Sequence, residues 1–299
     1  MAESLKIGLI GAGVFAGYHA SKLAAHPRVH FTGIVDHNVD QANKLADIHS
    51  VESMSLANVL QRSDAVVIAS PATTHGSIAA QALKAGCHCL IEKPLAISIA
   101  DIEEIMALAA ARQLTVQVGH QERLVLHAIG LMDIPESPIE IEAVRNSPFS
   151  RRGTDTSVTL DLMTHDIDIC TALLKSSPDK IKGQVESVKS DQIDRSKAAL
   201  RYGSCNVRLV SSRVEDVSTR KMKITYPSGI VEIDFNAKTL THNTPFALNA
   251  DFAEDARAKD SLGAATDIFV RAILDKTSVL VSAEEGAIAV LTALQIDGA

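Results

Sequence analysis

The sequence predicts an α/β protein that begins with a doubly wound parallel sheet and continues with an α+β domain on a mostly antiparallel open sheet. Up to about residue 120, short apolar strands alternate with helical segments, which is typical of parallel βαβ units. Beyond residue 120, consecutive strand-like runs are joined by short turns such as 227–229, which favours antiparallel pairing. We therefore expect one domain over residues 1–120 and a second over 121–299, with closing helices in 266–299.

Composition limits the class of protein. The chain has 299 residues, of which 46% are hydrophobic and 22% are charged, so it can bury a sizeable core. Its net charge of −7 disfavours nucleic acid or an anionic membrane surface as a partner. The first strand begins almost at the N-terminus, which leaves no room for a signal peptide. With no zinc-type cysteine spacing, we expect a cytoplasmic protein with reduced thiols at Cys87, Cys89, Cys170 and Cys205.

The first strand and helix are joined by a glycine-rich turn. The apolar run 6–10 is followed by residues 11–16, which match G-x-G-x-x-G/A and lead into a helical segment. This strand–turn–helix order is the context of the Rossmann dinucleotide fingerprint, in which the pyrophosphate rests on the helix N-terminus. The residues of the turn that we expect to bind the cofactor are Gly11, Gly13, Val14, Phe15 and Ala16.

An acidic residue follows the second predicted strand. Asp36 ends the run 29–35, about twenty residues after Ala16, where a carboxylate can accept hydrogen bonds from the adenosine ribose. Because a carboxylate there repels a 2′-phosphate, the sequence favours NAD and leaves NADP as the alternative. The competing interpretation is a glycine turn of another doubly wound protein, with Asp36 capping the next helix.

Two later loops lie at the carboxyl ends of predicted parallel strands, where ligands bind in such sheets. Residues 70–75 follow the apolar strand 65–69, and Glu92-Lys93-Pro94 closes the strand 88–92. An ammonium such as that of Lys93 can hydrogen-bond a reacting oxygen and stabilise negative charge that develops there. The alternative is a solvated lysine at a strand end.

A predicted helix over residues 157–174 carries the second group of reactive side chains. Asp161 and His165 are spaced i, i+4, and Asp168 follows His165 at i+3, so the carboxylates are expected to flank the imidazole. Such a histidine can accept a proton from an alcohol. One alternative is a structural histidine in a salt bridge. A metal site is a further alternative, which is disfavoured because no third ligand is evident.

Taken together, these motifs resemble those of the Gfo/Idh/MocA family of oxidoreductases over nearly the whole chain. The resemblance rests on the glycine turn, Glu92-Lys93-Pro94, the helix sequence 160–168 and the segment 281–286. Residues 119–123 and 160–168 are closer to a subgroup that includes dehydrogenases acting on position 3 of UDP-N-acetylglucosamine-type sugars. The cofactor-binding positions that the resemblance implies beyond the turn are Asp36, Ser70, Pro71, Thr74, His75, Glu92 and Lys93.

The resemblance also implies a reaction, the transfer of a hydride between a sugar ring carbon and nicotinamide, without a metal. In it Lys93 would hydrogen-bond the reacting hydroxyl, His165 would be the general base or acid, and Asp161 would orient the substrate or His165. The sequence 123–126 departs from the family pattern R-F-N-P. The candidate substrate contacts are Arg123, Arg151, Arg152 and Asp168.

Two other functions remain open from the sequence. One is a catalytically silent regulator that binds NAD(P), and the other is a reductase of a different carbonyl, such as a biliverdin- or diol-type substrate. Retention of Lys93, Asp161 and His165 together favours an enzyme, because a sensor needs none of them. The resemblance further implies a homodimer or homotetramer assembled through the exposed face of the C-terminal sheet.

Overall fold

The structure, a computed structural model, describes residues 4–151 and 153–298 and forms two compact units. The first unit comprises the chain up to residue 121 together with residues 262–286. The second comprises residues 122–261 and the chain from residue 287 onward. The sequence prediction assigned 262–286 to the second domain, whereas the structure groups this segment with the first.

The first unit is built on a six-stranded sheet of order β3-β2-β1-β4-β5-β6 in which every pairing is parallel. Its strands are β1 (Leu5–Ile10), β2 (Val29–Val35), β3 (Glu52–Ser53), β4 (Ala65–Ile68), β5 (His88–Ile91) and β6 (Val116–Val118). Its helices are α1 (Val14–Ala25), α2 (Val39–His49), α3 (Leu56–Arg62), α4 (His75–Ala85) and α5 (Ile99–Arg112). The predicted doubly wound parallel sheet is confirmed.

The second unit contains a seven-stranded sheet of order β13-β12-β11-β7-β10-β9-β8. Its strands are β7 (Glu140–Asn146), β8 (Lys180–Glu186), β9 (Arg195–Tyr202), β10 (Cys205–Ser212), β11 (Thr219–Tyr226), β12 (Gly229–Asp234) and β13 (Thr239–His242). Only the β7–β10 pairing is parallel, so the predicted mostly antiparallel sheet is confirmed. The helices of this part are α6 (Arg123–Ile129), α7 (Thr164–Leu174) and α8 (Ala256–Lys259).

Two long helices close the chain, α9 (Ser261–Leu274) and α10 (Ala283–Asp297). Helix α9 joins the first unit because Phe269 and Val270 are fully buried in the hydrophobic core that also contains Ile7 and Leu9 of β1. Burial of two such large side chains stabilises the unit by several kcal/mol, at about 1.5–3 kcal/mol for each. The sequence lacked a signal for this placement because the contact joins residues more than 250 positions apart.

The edge strand β8 and the predicted helix 157–174 account for the main differences from the predicted elements. The sequence predicts a strand at 185–189, whereas β8 spans Lys180–Glu186. Its side chains are exposed except for the half-buried Ile181. An edge strand without an apolar face lacks the alternation of apolar and polar residues from which a strand is predicted. The predicted helix 157–174 is also not uniform: Thr159–Met163 form a π-helical turn ahead of α7.

Candidate active site

The glycine turn has the geometry that a bound pyrophosphate requires. Gly11 has φ +117°, and a Cβ at this position would lie 2.5 Å from the carbonyl oxygen of Ala69, so only glycine fits. A Cβ at Gly13 would meet nothing within 4 Å, which leaves open space in front of α1. Helix α1 has no side-chain cap and no acidic residue in its first turn, so its N–H groups favour an anion. These features fit the dinucleotide.

The remaining positions predicted in the turn differ in exposure. Val14 is 59% exposed, Phe15 is half-buried and stacks edge-on against Tyr18, and Ala16 is fully buried. The small side chain of Ala16 allows α1 to pack closely on the sheet, as expected from its place in the fingerprint.

Asp36 lies just beyond β2 and is tied to the glycine turn. Its Oδ2 accepts a hydrogen bond from the backbone N–H of Ala12 at 2.7 Å, and its Oδ1 accepts one from Asn38 N–H at 2.8 Å. Helix α2 is capped by the side chain of Asn38 and not by Asp36. The alternative role of Asp36 as a helix cap is therefore wrong, and the carboxylate lies beside the turn where the ribose interaction was expected.

The loop after β4 is held by side-chain hydrogen bonds. Ser70 Oγ and Thr74 Oγ1 are 2.7 Å apart, and Thr74 Oγ1 donates to the carbonyl of Pro71. His75 is 1% exposed, with Nδ1 2.7 Å from the carbonyl oxygen of Pro94 and Nε2 3.0 Å from that of Ser70. Burial lowers the pKa of His75, partly offset by the two carbonyl oxygens. His75 thus links the loop after β4 to the loop after β5.

Glu92 is buried between α1 and the end of β5. Its Oε1 lies 2.8 Å from His19 Nε2, and a Cβ at Gly119 would lie 2.8 Å from the same oxygen. The backbone N–H of Lys93 donates to the other oxygen, Oε2, at 3.3 Å. The Lys93–Pro94 peptide bond is cis. Glu92 therefore contacts protein groups on both oxygens and fixes the strand end that carries Lys93.

The start of the π-helical turn that leads into α7 is anchored by the end of α10. Ser157 Oγ and Thr159 Oγ1 donate to the two oxygens of Asp297, each at 2.5 Å. Ser157 Oγ also accepts a hydrogen bond from the backbone N–H of Leu160 at 3.1 Å. Burial raises the pKa of Asp297, which the two hydroxyl donors partly counteract. The π-helical turn that contains Asp161 is therefore fixed at its first residues.

Asp161 packs against the loop that precedes the helix. Gly153 has φ +78°, and a Cβ there would lie 2.7 Å from Asp161 Oδ2. The loop is held in turn by the buried guanidinium of Arg213, whose Nη1 donates to Gly153 O and whose Nη2 donates to Thr156 O. Arg213 Nε donates to the fully buried Asp194 at 2.9 Å. The position of Asp161 thus depends on Arg213, which follows β10, and on Asp194, which precedes β9, and the sequence prediction included neither.

The carboxylate beside His165 comes from a different element than expected. His165 Nδ1 lies 3.1 Å from Oε1 of Glu122, the residue that precedes α6. Asp168 instead forms a buried pair with Arg123, whose Nε and Nη2 donate to its two oxygens at 3.0 and 2.7 Å. The expectation that Asp168 flanks His165 is therefore corrected, because Asp168 is 1% exposed and bonded to Arg123.

Glu122 is the centre of a charged cluster. Arg145 donates to both oxygens of Glu122 and to both oxygens of Asp166, and Arg220 Nη2 donates to Glu122 Oε1. Burial alone would raise the pKa of Glu122, but Arg145, His165 and Arg220 bring it well below its usual range. Burial raises the pKa of Asp166, although Arg145 opposes this shift. Two guanidinium groups thus balance two carboxylates next to His165.

The remaining candidate substrate contacts lie in the loop before the helix. Arg151 is exposed, and its carbonyl accepts a hydrogen bond from Thr154 Oγ1 at 2.9 Å. Arg152 lies outside the described residues. Sequence reasoning missed Glu122 and Arg145 as members of the site. The signal that could have identified Glu122 is the motif 119–123, in which Glu122 stands beside Arg123.

The described residues contain neither a metal-binding cluster nor a membrane-spanning helix. Over 4–151 and 153–298, no three His, Cys, Asp or Glu side chains form a group that could hold a metal ion. Within the same residues, no helix is long and apolar enough to cross a membrane.

Comparison with known proteins agrees with this fold and glycine turn. Residues 5–120 match the model of the GFO_IDH_MocA family, described as an oxidoreductase family with an NAD-binding Rossmann fold. The chain is 29% identical to UDP-N-acetylglucosamine 3-dehydrogenase of Acidithiobacillus ferrooxidans, over 98% of this chain and 96% of the relative. A crystal structure of that enzyme superposes with a TM-score of 0.90 and 28% identity, covering 99% of this chain and 97% of the other.

A more distant structure shares the fold. The WlbA dehydrogenase from Bordetella pertussis, solved with NADH and UDP-GlcNAcA, has a TM-score of 0.88 and 16% identity, covering 100% of this chain and 97% of that chain. The fold, the glycine turn and the family match define the class of the protein, an NAD-binding oxidoreductase with a Rossmann domain. Residues 5–120 carry the match to the Gfo/Idh/MocA family model, and the predicted NAD cofactor is confirmed at this level.

Proposed function

We propose that the protein is an NAD-dependent dehydrogenase of a sugar ring hydroxyl, with nucleotide-linked sugars as the substrate class, and that it also catalyses the reverse reduction. The observation that carries the proposal is the contact between His165 Nδ1 and Glu122. The negative charge of a carboxylate this close to the ring stabilises the imidazolium that forms when His165 accepts a proton as a general base. The 29% identity to a UDP-sugar dehydrogenase over 98% of this chain supports the substrate class.

The proton and the hydride leave the substrate separately. His165 Nε2 accepts the hydroxyl proton, and the Lys93 ammonium hydrogen-bonds the same oxygen and stabilises its developing negative charge. Asp161 orients the substrate or the imidazole. When bound, NAD accepts the hydride from the carbinol carbon, which becomes a carbonyl carbon. In the opposite direction, the imidazolium returns the proton to the oxygen.

The cofactor would be held by the elements of the first unit. The N–H groups at the start of α1 bind the pyrophosphate, with the open space at Gly13 admitting it, and Asp36 accepts hydrogen bonds from the ribose. Ser70, Pro71 and Thr74 line the cofactor at the end of β4. Because His75 and Glu92 are buried and bonded to protein groups, we assign them to positioning these loops. Arg151 and Arg152 remain candidate contacts for the nucleotide part of the substrate.

The test is formation of NADH across UDP-sugars, free hexoses and inositols, with two variants. We expect wild type to oxidise at least one sugar, and both His165→Asn and Lys93→Met to lose about 100-fold or more in kcat while still binding NADH. The exposed His30→Asn is the matched control and should behave as wild type. A fully active His165→Asn variant would remove His165 from the mechanism. NADH binding by a wild-type protein that oxidises no alcohol and reduces no carbonyl would support the silent regulator instead.

We also infer that the protein forms a homodimer or homotetramer through the open face of the seven-stranded sheet. On that face Arg208 pairs with Glu142, and Lys223 lies 4.0 Å from the same carboxylate. The half-buried Val144 and Val210 are cross-strand neighbours on the central strands β7 and β10. A face with charges paired within the sheet and apolar residues at its centre suits association with a second copy.

A further inference from the structure

Arg220 stands on the helix-covered side of the second sheet, next to the His165–Glu122 pair. It is the cross-strand neighbour of Arg145 in the β11–β7 pairing. Its guanidinium lies over the ring of Phe235, 5.8 Å from the ring centre, and its side chain is 33% exposed, compared with 6% for Arg145. Arg220 is therefore the guanidinium of this cluster that a substrate can reach.

The two arginines use their donors differently. Arg145 directs Nε, Nη1 and Nη2 at the carboxylates of Glu122 and Asp166. In the part of the chain that the structure describes, the Arg220 side chain makes one hydrogen bond, from Nη2 to Glu122 Oε1 at 2.5 Å, and its buried Nε has no partner. A guanidinium has five N–H donors, and a buried donor left without an acceptor is costly. The cluster thus holds a donor set that fits an acceptor from a ligand.

The position of these donors relative to His165 is fixed by one atom. Arg220 Nη2 and His165 Nδ1 both contact Oε1 of Glu122, at 2.5 and 3.1 Å. The guanidinium and the imidazole therefore lie within the span of one sugar ring. A sugar whose hydroxyl meets the general base would present a neighbouring ring substituent to Arg220.

We propose that Arg220 is a specificity-determining residue that donates to a carbonyl oxygen on a ring substituent beside the reacting hydroxyl, as in an N-acylamino sugar. This inference rests on the proposed function. The charge balance favours a neutral acceptor over a carboxylate. Arg145 and Arg220 already balance Glu122 and Asp166, so a carboxylate would add an uncompensated charge to a largely buried cluster.

The experiment compares UDP-N-acetylglucosamine with UDP-glucose, which differ at one ring substituent, in wild type, Arg220→Gln and Arg220→Lys. We expect wild type to prefer the N-acyl sugar, and Arg220→Gln to lose about 10- to 100-fold in kcat/KM on that sugar, mainly through KM. The activity of Arg220→Gln on UDP-glucose should differ from that of wild type by less than about threefold, so the preference for the N-acyl sugar is lost. Arg220→Lys should restore part of it, because the ammonium keeps the charge and a donor.

Controls separate this inference from the function on which it rests. Arg62→Gln, at an exposed arginine of α3, should leave the preference unchanged. The Arg220 variants should keep the wild-type NADH affinity and have thermal midpoints above the assay temperature. An equal loss on both sugars would overturn the inference, because Arg220 would then act only through Glu122. A wild type that oxidises both sugars equally would overturn it as well, while the dehydrogenase assignment stands. A wild type that oxidises no sugar at all would overturn both.

Discussion

The carboxylate of Glu122 contacts His165 and is held in place by Arg145 and Arg220. Replacing it with glutamine keeps the shape but removes the charge that stabilises the imidazolium formed during oxidation. We expect Glu122→Gln to lower kcat by about tenfold or more and to move the acid limb of the pH–rate profile to lower pH, because protonated His165 loses a counter-charge. The facing groups whose charge remains are Arg145, Arg220 and Asp166. The pH dependence of steady-state NADH formation checks this.

The matched control is Glu215→Gln, which removes a carboxylate from a partly exposed ion pair with Arg195. Its pH profile should coincide with that of wild type. A Glu122→Gln variant that is less stable but keeps the wild-type pH profile would mean that Glu122 only supports the fold.

His75 gives a second prediction at the scale of one residue. Burial lowers its pKa from 6.5, so below that pH the unfolded chain binds a proton that the folded chain resists. The free energy of unfolding should therefore fall as pH drops below about 6.5, until the folded pKa is reached. The variant His75→Gln should show a smaller fall over that range in urea unfolding measured from pH 7.5 to 5.5. A slope identical to that of wild type would contradict the prediction.

At the scale of elements, the two glycines of the turn before α1 should respond differently to alanine. Gly11→Ala places a Cβ 2.5 Å from a backbone carbonyl at a positive φ, so it should lower the thermal midpoint by several degrees. Gly13→Ala meets nothing within 4 Å, so the fold should tolerate it. Its methyl group would occupy the space assigned to the pyrophosphate, and NADH affinity should fall by about tenfold or more. Calorimetry and NADH titration of both variants make the comparison, and unchanged affinity in Gly13→Ala would contradict it.

Variants of the ion pair between Arg123 of α6 and Asp168 of α7 distinguish a structural role of these residues from substrate binding. Arg123→Met would leave Asp168 buried without its partner, which costs about 3–5 kcal/mol in unfolding free energy. The double variant Arg123→Met/Asp168→Leu removes both charges and should be closer to wild type than either single variant. If the double variant also keeps the wild-type KM for the sugar, neither residue contacts substrate. A raised KM with normal stability would restore the original assignment.

The parts of the fold that the sequence could predict are those with a local pattern. Strand β4 is a continuous apolar run, and β1 and β5 are mostly apolar. Helix α4 ends at Gly86, a left-handed C-cap of the kind that glycine favours. The bounds of strand β8 were predicted wrongly because the exposed residues of an edge strand show no alternation of apolar and polar side chains. The placement of α9 on the first sheet was missed because it depends on contacts between distant parts of the chain.

The candidate site was predicted to a similar extent. Motif residues such as Lys93, Asp161 and His165 could be found because their types and spacings are distinctive. The partner of His165 was misassigned because helical spacing suggested Asp168, whereas the π-helical turn and the Arg123 pair alter the neighbours on that helix. Glu122 and Arg220 are brought to His165 by tertiary structure alone, from elements about 40 and 55 residues away in sequence.

At the scale of the whole molecule, the open sheet face predicts the state of assembly. Val144→Asp would put a charge among the apolar residues at the centre of that face, without entering the core beneath it. We expect wild type to have the mass of a dimer or tetramer in light scattering, and Val144→Asp to shift it towards the monomer at micromolar concentration. The exposed Val217→Asp, outside the sheet strands, is the control and should keep the wild-type mass. A wild type that is monomeric throughout the concentration range would contradict the assignment.

The hydrogen bonds that Ser157 and Thr159 donate to Asp297 determine when the π-helical turn can be fixed during synthesis of the chain. Ser157 and Thr159, at the start of the π-helical turn, are separated from Asp297 by 140 and 138 positions. A ribosome that has made the glycine turn, Lys93 and His165 still has not made the carboxylate that anchors the π-helical turn. The first unit lacks its α9 for most of that time as well. We therefore expect nascent chains arrested before residue 297 to be without the settled Asp161 geometry, and the site to form only after Asp297 has been synthesised.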